Sequence, residues 1–128
     1  PALIDEVPIL TILGLFVQGK FTISHADELK HKESNRLSAL IEILTRLQVS
    51  VRPYADGFTF EGNPQWTPPC VSEALPTYHD HRLVMALEIL NLKAAHRLPI
   101  QHTQWAAVSY PGFYKTLAQL MQPTMPQL

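Results

Sequence analysis

Two short clusters of charged side chains carry the chemistry that this sequence could perform. One covers residues 30–36 (KHKESNR) and the other covers residues 79–82 (HDHR). Each cluster lies at the start of a segment whose apolar spacing predicts a helix, and the free N–H groups and dipole at a helix start favour bound anions. The fixed cations at these points, Lys32, Arg36 and Arg82, can bind a carboxylate or a phosphate, and arginine does so through paired hydrogen bonds. We therefore predict an anion-binding site built from two helix starts.

Both clusters also have a purely structural interpretation. Ser34 or Asn35 could cap the helix that follows the first cluster, and Glu33 and Arg36 could form an ordinary surface ion pair. Asp80 has the side chain of a helix cap in the second cluster. These alternatives stay open at the level of the residues, because surface pairs at this spacing are common and weak.

The nearby acids and histidines narrow the chemistry further. His79 and His81 are two positions apart, but no third metal ligand is evident, so we predict no metal site. Asp5 and Glu6 precede the first apolar segment, where a carboxylate normally caps a helix. Asp5 becomes a candidate functional residue because an internal repeat pairs it with Asp80, inside the second cluster.

The elements that would position these clusters alternate between helices and strands. Apolar periodicity predicts helices over residues 5–17, 33–48, 80–92 and 110–121, and strands at residues 21–23, 58–60, 71–77 and 98–101, with a further strand that begins at Val49 and Val51. The dipeptide Asp56-Gly57 predicts a hairpin turn. Aligning Asp5 with Asp80 places a helix, a strand and a second helix in the same order in each half. We predict an α/β fold (α+β layers) with two units, about 1–62 and 71–121, and a tail at 122–128.

Composition limits the class of protein. The 128 residues are 46% apolar and 16% charged, which excludes a disordered polymer and suffices for the core of one domain. The net charge of −1 provides no general attraction to nucleic acid or to an anionic membrane. Cys70 is the single cysteine, so no internal disulfide can form, and we expect a reducing compartment, the cytoplasm. An apolar helix follows Pro1 almost at once, so we expect a segment of a longer protein.

Four segments in this order give the chain a family resemblance. They are residues 3–8 (LIDEVP), 27–37 (DELKHKESNRL), 80–86 (DHRLVMA) and 109–113 (SYPGF). Together they resemble the 5-enolpyruvylshikimate-3-phosphate synthase family, and the resemblance extends to about Met121. It implies two domains built from repeated βαβαββ units, of which this chain would be much of the C-terminal one.

The resemblance also implies a reaction and its two proton-transfer groups. The family transfers the enolpyruvyl group of phosphoenolpyruvate to the 5-hydroxyl of shikimate 3-phosphate and releases phosphate. Asp5 is similar to the base that contacts this hydroxyl, and Glu33 is similar to the acid/base at the phosphoenolpyruvate methylene. Two carboxylates with separate tasks suit an addition that needs a proton donor and a base. No metal or organic cofactor is implied.

The substrate-binding residues follow from the same resemblance. Lys32 is similar to the lysine that bridges the two substrates, and His81 is similar to a neighbouring site histidine. Arg36 and Arg82 resemble the arginines that bind the carboxylate and phosphate of phosphoenolpyruvate. The implied partners are the two substrates and the missing N-terminal domain of the same chain, so the isolated piece is expected to be inactive. Its uncovered apolar faces and strand edges predict self-association.

Three departures from the family pattern leave room for other functions. Asn35 stands where members commonly have Asp, His79 stands where Gly or Asn is usual, and Val108 stands where some members have a lysine. A non-catalytic anion-binding or interaction module of the same fold is therefore one alternative. The sibling transferase that acts on UDP-N-acetylglucosamine is less favoured, because residues 32–36 and 80–82 follow the shikimate enzyme.

Overall fold

The first helix begins at the first turn predicted for it but is shorter than the apolar run. The computed structural model describes residues 6–32 and 34–102, and helix α1 covers Val7–Gly14. Pro8 is tolerated because a proline in the first turn removes no intrahelical hydrogen bond. The backbone N–H of Leu15 still bonds to the carbonyl of Ile12, after which the chain turns towards the sheet.

A three-stranded antiparallel sheet follows and confirms the predicted hairpin. Strands β1 (Gly19–Ile23), β2 (Arg52–Tyr54) and β3 (Gly57–Gly62) lie in the order β1-β3-β2. Ala55 and Asp56 form the hairpin turn. Strand β2 begins at Arg52, a little later than predicted. Gly62 allows β3 to end against α1, because a Cβ atom there would lie 2.2 Å from the carbonyl oxygen of Gly14.

The amphipathic helix of the first half forms as predicted but is shorter at both ends. Helix α2 covers Arg36–Arg46, and a 3-10 helix at Asp27–His31 precedes it where the sequence indicated only a loop. Asn35 caps α2, since its side-chain oxygen accepts a hydrogen bond from the backbone N–H of Ser38 at 3.1 Å. The buried face of α2 supplies the middle of the core through Leu37, Leu40, Ile43 and Leu44.

The second half contains helix α3 but lacks the two strands predicted beside it. Helix α3 covers His81–Leu90 and continues as a 3-10 helix at Asn91–Lys93. The predicted strands at 71–77 and 98–101 are reduced to one parallel bridge, Leu75 with Ile100. Pro76 and Pro99 provide the reason, because neither has an N–H group to extend the ladder.

The fold is mixed α/β, as predicted, and α1 and α3 pack directly against each other. These are the two helices that the repeat alignment pairs. The division into units at 1–62 and 71–121 stays a prediction, and the helix predicted at 110–121 and the tail lie outside the described residues. Within residues 6–32 and 34–102, no helix has the length and apolar character needed to cross a membrane.

Candidate functional site

The carboxylate of Asp80 lies at the centre of the site and is fully buried. Its Oδ2 atom accepts hydrogen bonds from Ser34 Oγ at 2.8 Å and from Arg36 Nε at 2.7 Å. Its Oδ1 atom accepts from Arg36 Nη2 at 3.1 Å and from the backbone N–H of Arg82 at 3.0 Å. Four donors therefore converge on one carboxylate, and two of them belong to one guanidinium group in the planar paired arrangement.

The local chain conformation directs Asp80 into this position. Asp80 caps α3 in an extended conformation, and its backbone N–H donates to the carbonyl of Thr77 at 2.8 Å. The two residues between them, Tyr78 and His79, have positive φ angles of 52° and 58°. Non-glycine residues adopt this left-handed region only where the surrounding contacts hold them there. The cap of α3 is thus built by a strained turn, which agrees with the cap predicted for Asp80.

Arg36 is the first residue of α2 and is almost completely buried, with 1% of its side chain exposed. Taking two charges out of water is costly, and the cost is repaid only when the pair has good geometry and further hydrogen bonds. The Arg36–Asp80 pair meets both conditions through the doubled contact and the hydroxyl of Ser34. The starts of α2 and α3 are therefore joined by a buried ion pair.

Arg82 connects the same cluster to the start of α1. Its side chain is 37% exposed, and Nη1 lies 3.4 Å from Oε1 of Glu6, the residue before α1. A mostly apolar cleft of about 200 Å³ lies beside this contact, lined by Glu6, Pro8, Ile9, Arg82, Met85, Ala86 and Ile89. The contacts Glu6–Arg82 and Asp80–Arg36 thus bring three helix starts together. Such an arrangement concentrates N–H groups and fixed cations where an anion can bind.

The structure brings some of the predicted site residues together. Arg36 and Arg82 both contact Asp80, one through its guanidinium group and the other through its backbone. His81 is the first residue of α3 and is half-buried, and Lys32 is half-buried directly after the 3-10 helix. Their substrate-binding roles stay predictions.

The two predicted catalytic carboxylates, Asp5 and Glu33, lie outside the described residues. Their neighbours in the chain, Glu6 and Ser34, both contribute to the cluster. The proton-transfer roles of Asp5 and Glu33 therefore stay predictions that depend on the motif.

The sequence did not indicate that Ser34 bonds to Asp80 or that Glu6 contacts Arg82. Ser34 was considered as a cap of α2, but it donates to Asp80 while Asn35 provides the cap. The Glu6–Arg82 contact joins residues 76 positions apart, and no spacing rule could indicate it. The only signal for these contacts in the sequence was residue type, because the short polar side chains that cap helices are common at helix starts.

His79 contacts a third histidine, His102, which follows the second predicted strand of this half. The His79 ring lies against the His102 ring, with centroids 3.9 Å apart, and His102 Nδ1 is 3.2 Å from Thr77 Oγ1. Among residues 6–32 and 34–102, no three His, Cys, Asp or Glu side chains are grouped as metal ligands would be. Arginine side chains and helix N–H groups, which the described cluster contains, are donors of the kind that bind anions.

Known proteins are similar to this chain in sequence and in fold. The sequence profile of EPSP synthase (3-phosphoshikimate 1-carboxyvinyltransferase) matches residues 1–117. The 3-phosphoshikimate 1-carboxyvinyltransferase of Leptospira biflexa serovar Patoc is 41% identical over 119 residues, which are 91% of this chain and 26% of the relative. Its counterpart in Aquifex aeolicus is 35% identical over 122 residues, which are 95% of this chain and 27% of the relative.

A solved structure agrees with these sequence matches. The EPSP synthase structure from Acinetobacter baumannii superposes with a TM-score of 0.80 at 30% identity, covering 92% of this chain and 27% of that one. The chain thus spans about a quarter of the length of the relatives that it matches.

Proposed function

The chain belongs to the EPSP synthase family, and from this premise we propose that it forms part of an enolpyruvyl transferase. The complete enzyme would transfer the enolpyruvyl group of phosphoenolpyruvate to the 5-hydroxyl of shikimate 3-phosphate and release phosphate. The observation that carries the proposal is the cluster in which Asp80 joins Arg36 and the backbone of Arg82. It places two arginines of the family motifs at neighbouring helix starts.

The two arginines would bind the anionic groups of phosphoenolpyruvate. This substrate carries a carboxylate and a phosphate, so it needs two cationic contacts with a fixed separation. Arg36 is immobilised by Asp80, and the partly exposed Arg82 can exchange the long contact with Glu6 for a substrate oxygen. Lys32 would bridge the two substrates, with His81 beside it. Holding both reactants in one orientation provides much of the rate enhancement in a reaction of this kind.

The proton transfers are proposed for Asp5 and Glu33. Asp5 would accept the proton of the 5-hydroxyl as its oxygen attacks, and Glu33 would donate a proton to the methylene carbon. Glu33 would then take a proton back from the resulting methyl group as the bond from carbon to the phosphate oxygen breaks, which restores the double bond and releases phosphate. A general base and a general acid must contact different atoms at the same time, which requires two separate carboxylates. No metal or organic cofactor has a task in this scheme.

We assign these 128 residues to the C-terminal domain. The remaining part of the enzyme would come from chain outside them. The family's other domain would supply contacts to the phosphate of shikimate 3-phosphate, so the 128-residue chain alone should not turn over. Phosphorylated substrates and the single free thiol, Cys70, agree with a cytoplasmic enzyme.

A chimera tests the proposal directly. The matching segment of the Leptospira biflexa relative, which covers 26% of its length, would be replaced by this chain and produced in a bacterium lacking the activity. We expect growth without aromatic amino acids, and phosphate release from phosphoenolpyruvate only when shikimate 3-phosphate is present. Glu33→Gln should abolish turnover. Arg97→Ala provides the matched arginine control, because Arg97 contacts Glu88 at the other end of α3, and it should retain activity.

One observation favours a second candidate function, a non-catalytic module that keeps the fold. The guanidinium group of Arg36 is 1% exposed and is already paired with a carboxylate within the chain, so the cluster is stable without a substrate. A folded chimera that binds phosphoenolpyruvate but releases no phosphate would support this function and contradict the transferase proposal.

A further inference from the structure

We propose that Asp80 is a positioning residue that sets the separation and orientation of the two arginines. It acts through Arg36 and through the first turn of α3, and it does not itself contact substrate. The inference rests on the proposed function, because it assigns to Asp80 the arrangement of a site that binds phosphoenolpyruvate.

The two oxygens of Asp80 together join the start of α2 to the first turn of α3. Oδ2 accepts from Ser34 and from Nε of Arg36, whereas Oδ1 accepts from Nη2 of Arg36 and from the backbone of Arg82. The two contacts thus fix the guanidinium group of Arg36 against the carboxylate. Because the edge formed by Nε and Nη2 faces Asp80, the direction of the Nη1 atom is also defined. The same carboxylate fixes the backbone from which the Arg82 side chain extends.

A helix cap alone would not require this residue. Capping of α3 uses the single bond from the N–H of Arg82 to Asp80, and Ser, Thr or Asn would provide it equally well. A buried carboxylate carries a desolvation cost that capping does not need to incur. Three further bonds, one from Ser34 and two from Arg36, are not part of the cap. The two from Arg36 form an ion pair with the negative charge, and two of the three bonds go to the second oxygen, Oδ2.

The consequence for binding is preorganisation. A free arginine side chain loses substantial rotational entropy when it binds a ligand, and holding it in place beforehand removes that cost. Arg36 is already fixed by its two contacts with Asp80, so less rotational entropy remains to be lost when a ligand binds. Loss of Asp80 should therefore weaken phosphoenolpyruvate binding even though the arginines remain.

Steady-state kinetics of the chimera provide the first test. For Asp80→Asn we expect the KM for phosphoenolpyruvate to rise about 100-fold, as when one partner of a buried charge pair is removed. The KM for shikimate 3-phosphate should stay within about twofold, since a positioning defect at one substrate leaves the other site intact. Glu88→Gln is the matched control, because it removes another buried carboxylate from α3. Equal changes in both KM values, or the same profile for Glu88→Gln, would overturn the proposal.

A milder pair of variants covers the case in which Asp80→Asn does not fold. Ser34→Ala keeps the ion pair but removes one charge-assisted bond to Asp80, so the KM for phosphoenolpyruvate should rise about tenfold. Ser34→Thr keeps the hydroxyl and should return KM towards the value for Ser34. If the alanine variant binds phosphoenolpyruvate as tightly as the threonine variant, Asp80 does not act through this arrangement.

A measurement without turnover separates this inference from the proposed function. In a nitrogen-15 spectrum of the 128-residue chain, the Nε–H signal of Arg36 should be sharp and protected from exchange. We expect this protection to be lost in Asp80→Asn and retained in Glu88→Gln. An inactive chimera with the protected signal would contradict the transferase and leave the positioning of Arg36 supported. An unchanged signal in Asp80→Asn would overturn the positioning itself.

Discussion

The two ends of α3 each bury a carboxylate against an arginine, but the two pairs are built differently. At the start, Asp80 and Arg36 are 0% and 1% exposed. Near the end, Glu88 is 1% exposed, whereas its partner Arg97 is 61% exposed. The first pair joins residues 44 positions apart, and the second joins residues nine apart.

The second pair completes a local turn. Glu88 accepts from Asn91 Nδ2 at 3.1 Å and from Arg97 Nη2 at 2.9 Å. Asn91 Oδ1 in turn accepts from the backbone N–H of Leu98 at 2.7 Å. This network fixes the chain that leaves α3 and involves no other helix start. Burial of a charged pair therefore does not by itself indicate a functional site. The Arg36–Asp80 pair differs from the Arg97–Glu88 pair because it joins the starts of two helices.

The largest expected difference between the pairs is in stability. Arg36→Met should lower the free energy of unfolding by about 3–5 kcal/mol, because Asp80 would remain buried without its ionic partner. Arg97→Met should cost only about 1 kcal/mol, since the Arg97 head is largely solvated and Glu88 keeps Asn91. Urea denaturation of the 128-residue chain measures both.

A double variant sharpens this prediction. Asp80→Leu combined with Arg36→Met removes both buried charges and should recover most of the stability lost by Arg36→Met alone. A double variant as unstable as the single one would show that the desolvated charge is not the cause. Equal costs for Arg36→Met and Arg97→Met would remove the contrast between the two ends of α3.

The next largest effect concerns the cap of α2, which Asn35 provides. Asn35→Ala should lower the free energy of unfolding by about 1 kcal/mol, because the N–H of Ser38 loses its acceptor. Asn35→Asp should change it by less than about 0.5 kcal/mol, since both residues cap well. Thermal unfolding of the three proteins gives the comparison. If Asn35→Ala is as stable as the native chain, the observed cap contributes nothing.

The exposed contact in the cluster should matter little for stability. Glu6→Gln removes the charge opposite Arg82, but the two side chains are 49% and 37% exposed and 3.4 Å apart. Ion pairs of this kind contribute between zero and about 1 kcal/mol, so we expect less than about 0.5 kcal/mol here. Urea denaturation at low and high salt is the measurement. A larger, salt-insensitive loss would mean that Glu6 acts as part of the buried cluster.

The smallest effect is on the acid–base behaviour of Tyr78, in the turn before Asp80. Its hydroxyl donates a hydrogen bond to Glu42, and this bond raises the pKa of the Tyr78 phenol above its usual 10.0. The stability contributed by this bond is present below the unfolded pKa and is lost as the pH rises through the raised, folded value. Ultraviolet titration should show a late-ionising tyrosine that Glu42→Gln returns towards the ordinary value. The same late ionisation in Glu42→Gln would assign the shift to another cause.

Local rules predicted the elements more reliably than their extents. The apolar spacing of α2 and the hairpin around Asp56 are properties of adjacent residues, and both were found. The prediction of strands at 71–77 and 98–101 was wrong, apart from one bridge that joins Leu75 to Ile100. Propensity for a strand is insufficient when a proline interrupts the donors and no neighbouring strand extends the ladder.

The candidate site, like the fold, was predictable from adjacent residues only in part. The types of Arg36, Asp80 and Arg82 and their places at helix starts are readable from the chain, and the cap formed by Asp80 was predicted. The pairing of Asp80 with Arg36 was not, because residues 44 positions apart meet only when helices pack. The sequence thus indicated which groups have charge and approximately where the helices begin, since these depend on residues adjacent in the chain. Tertiary structure alone decided which charge is neutralised by which, because desolvation and hydrogen-bond geometry exist only after the helices have come together.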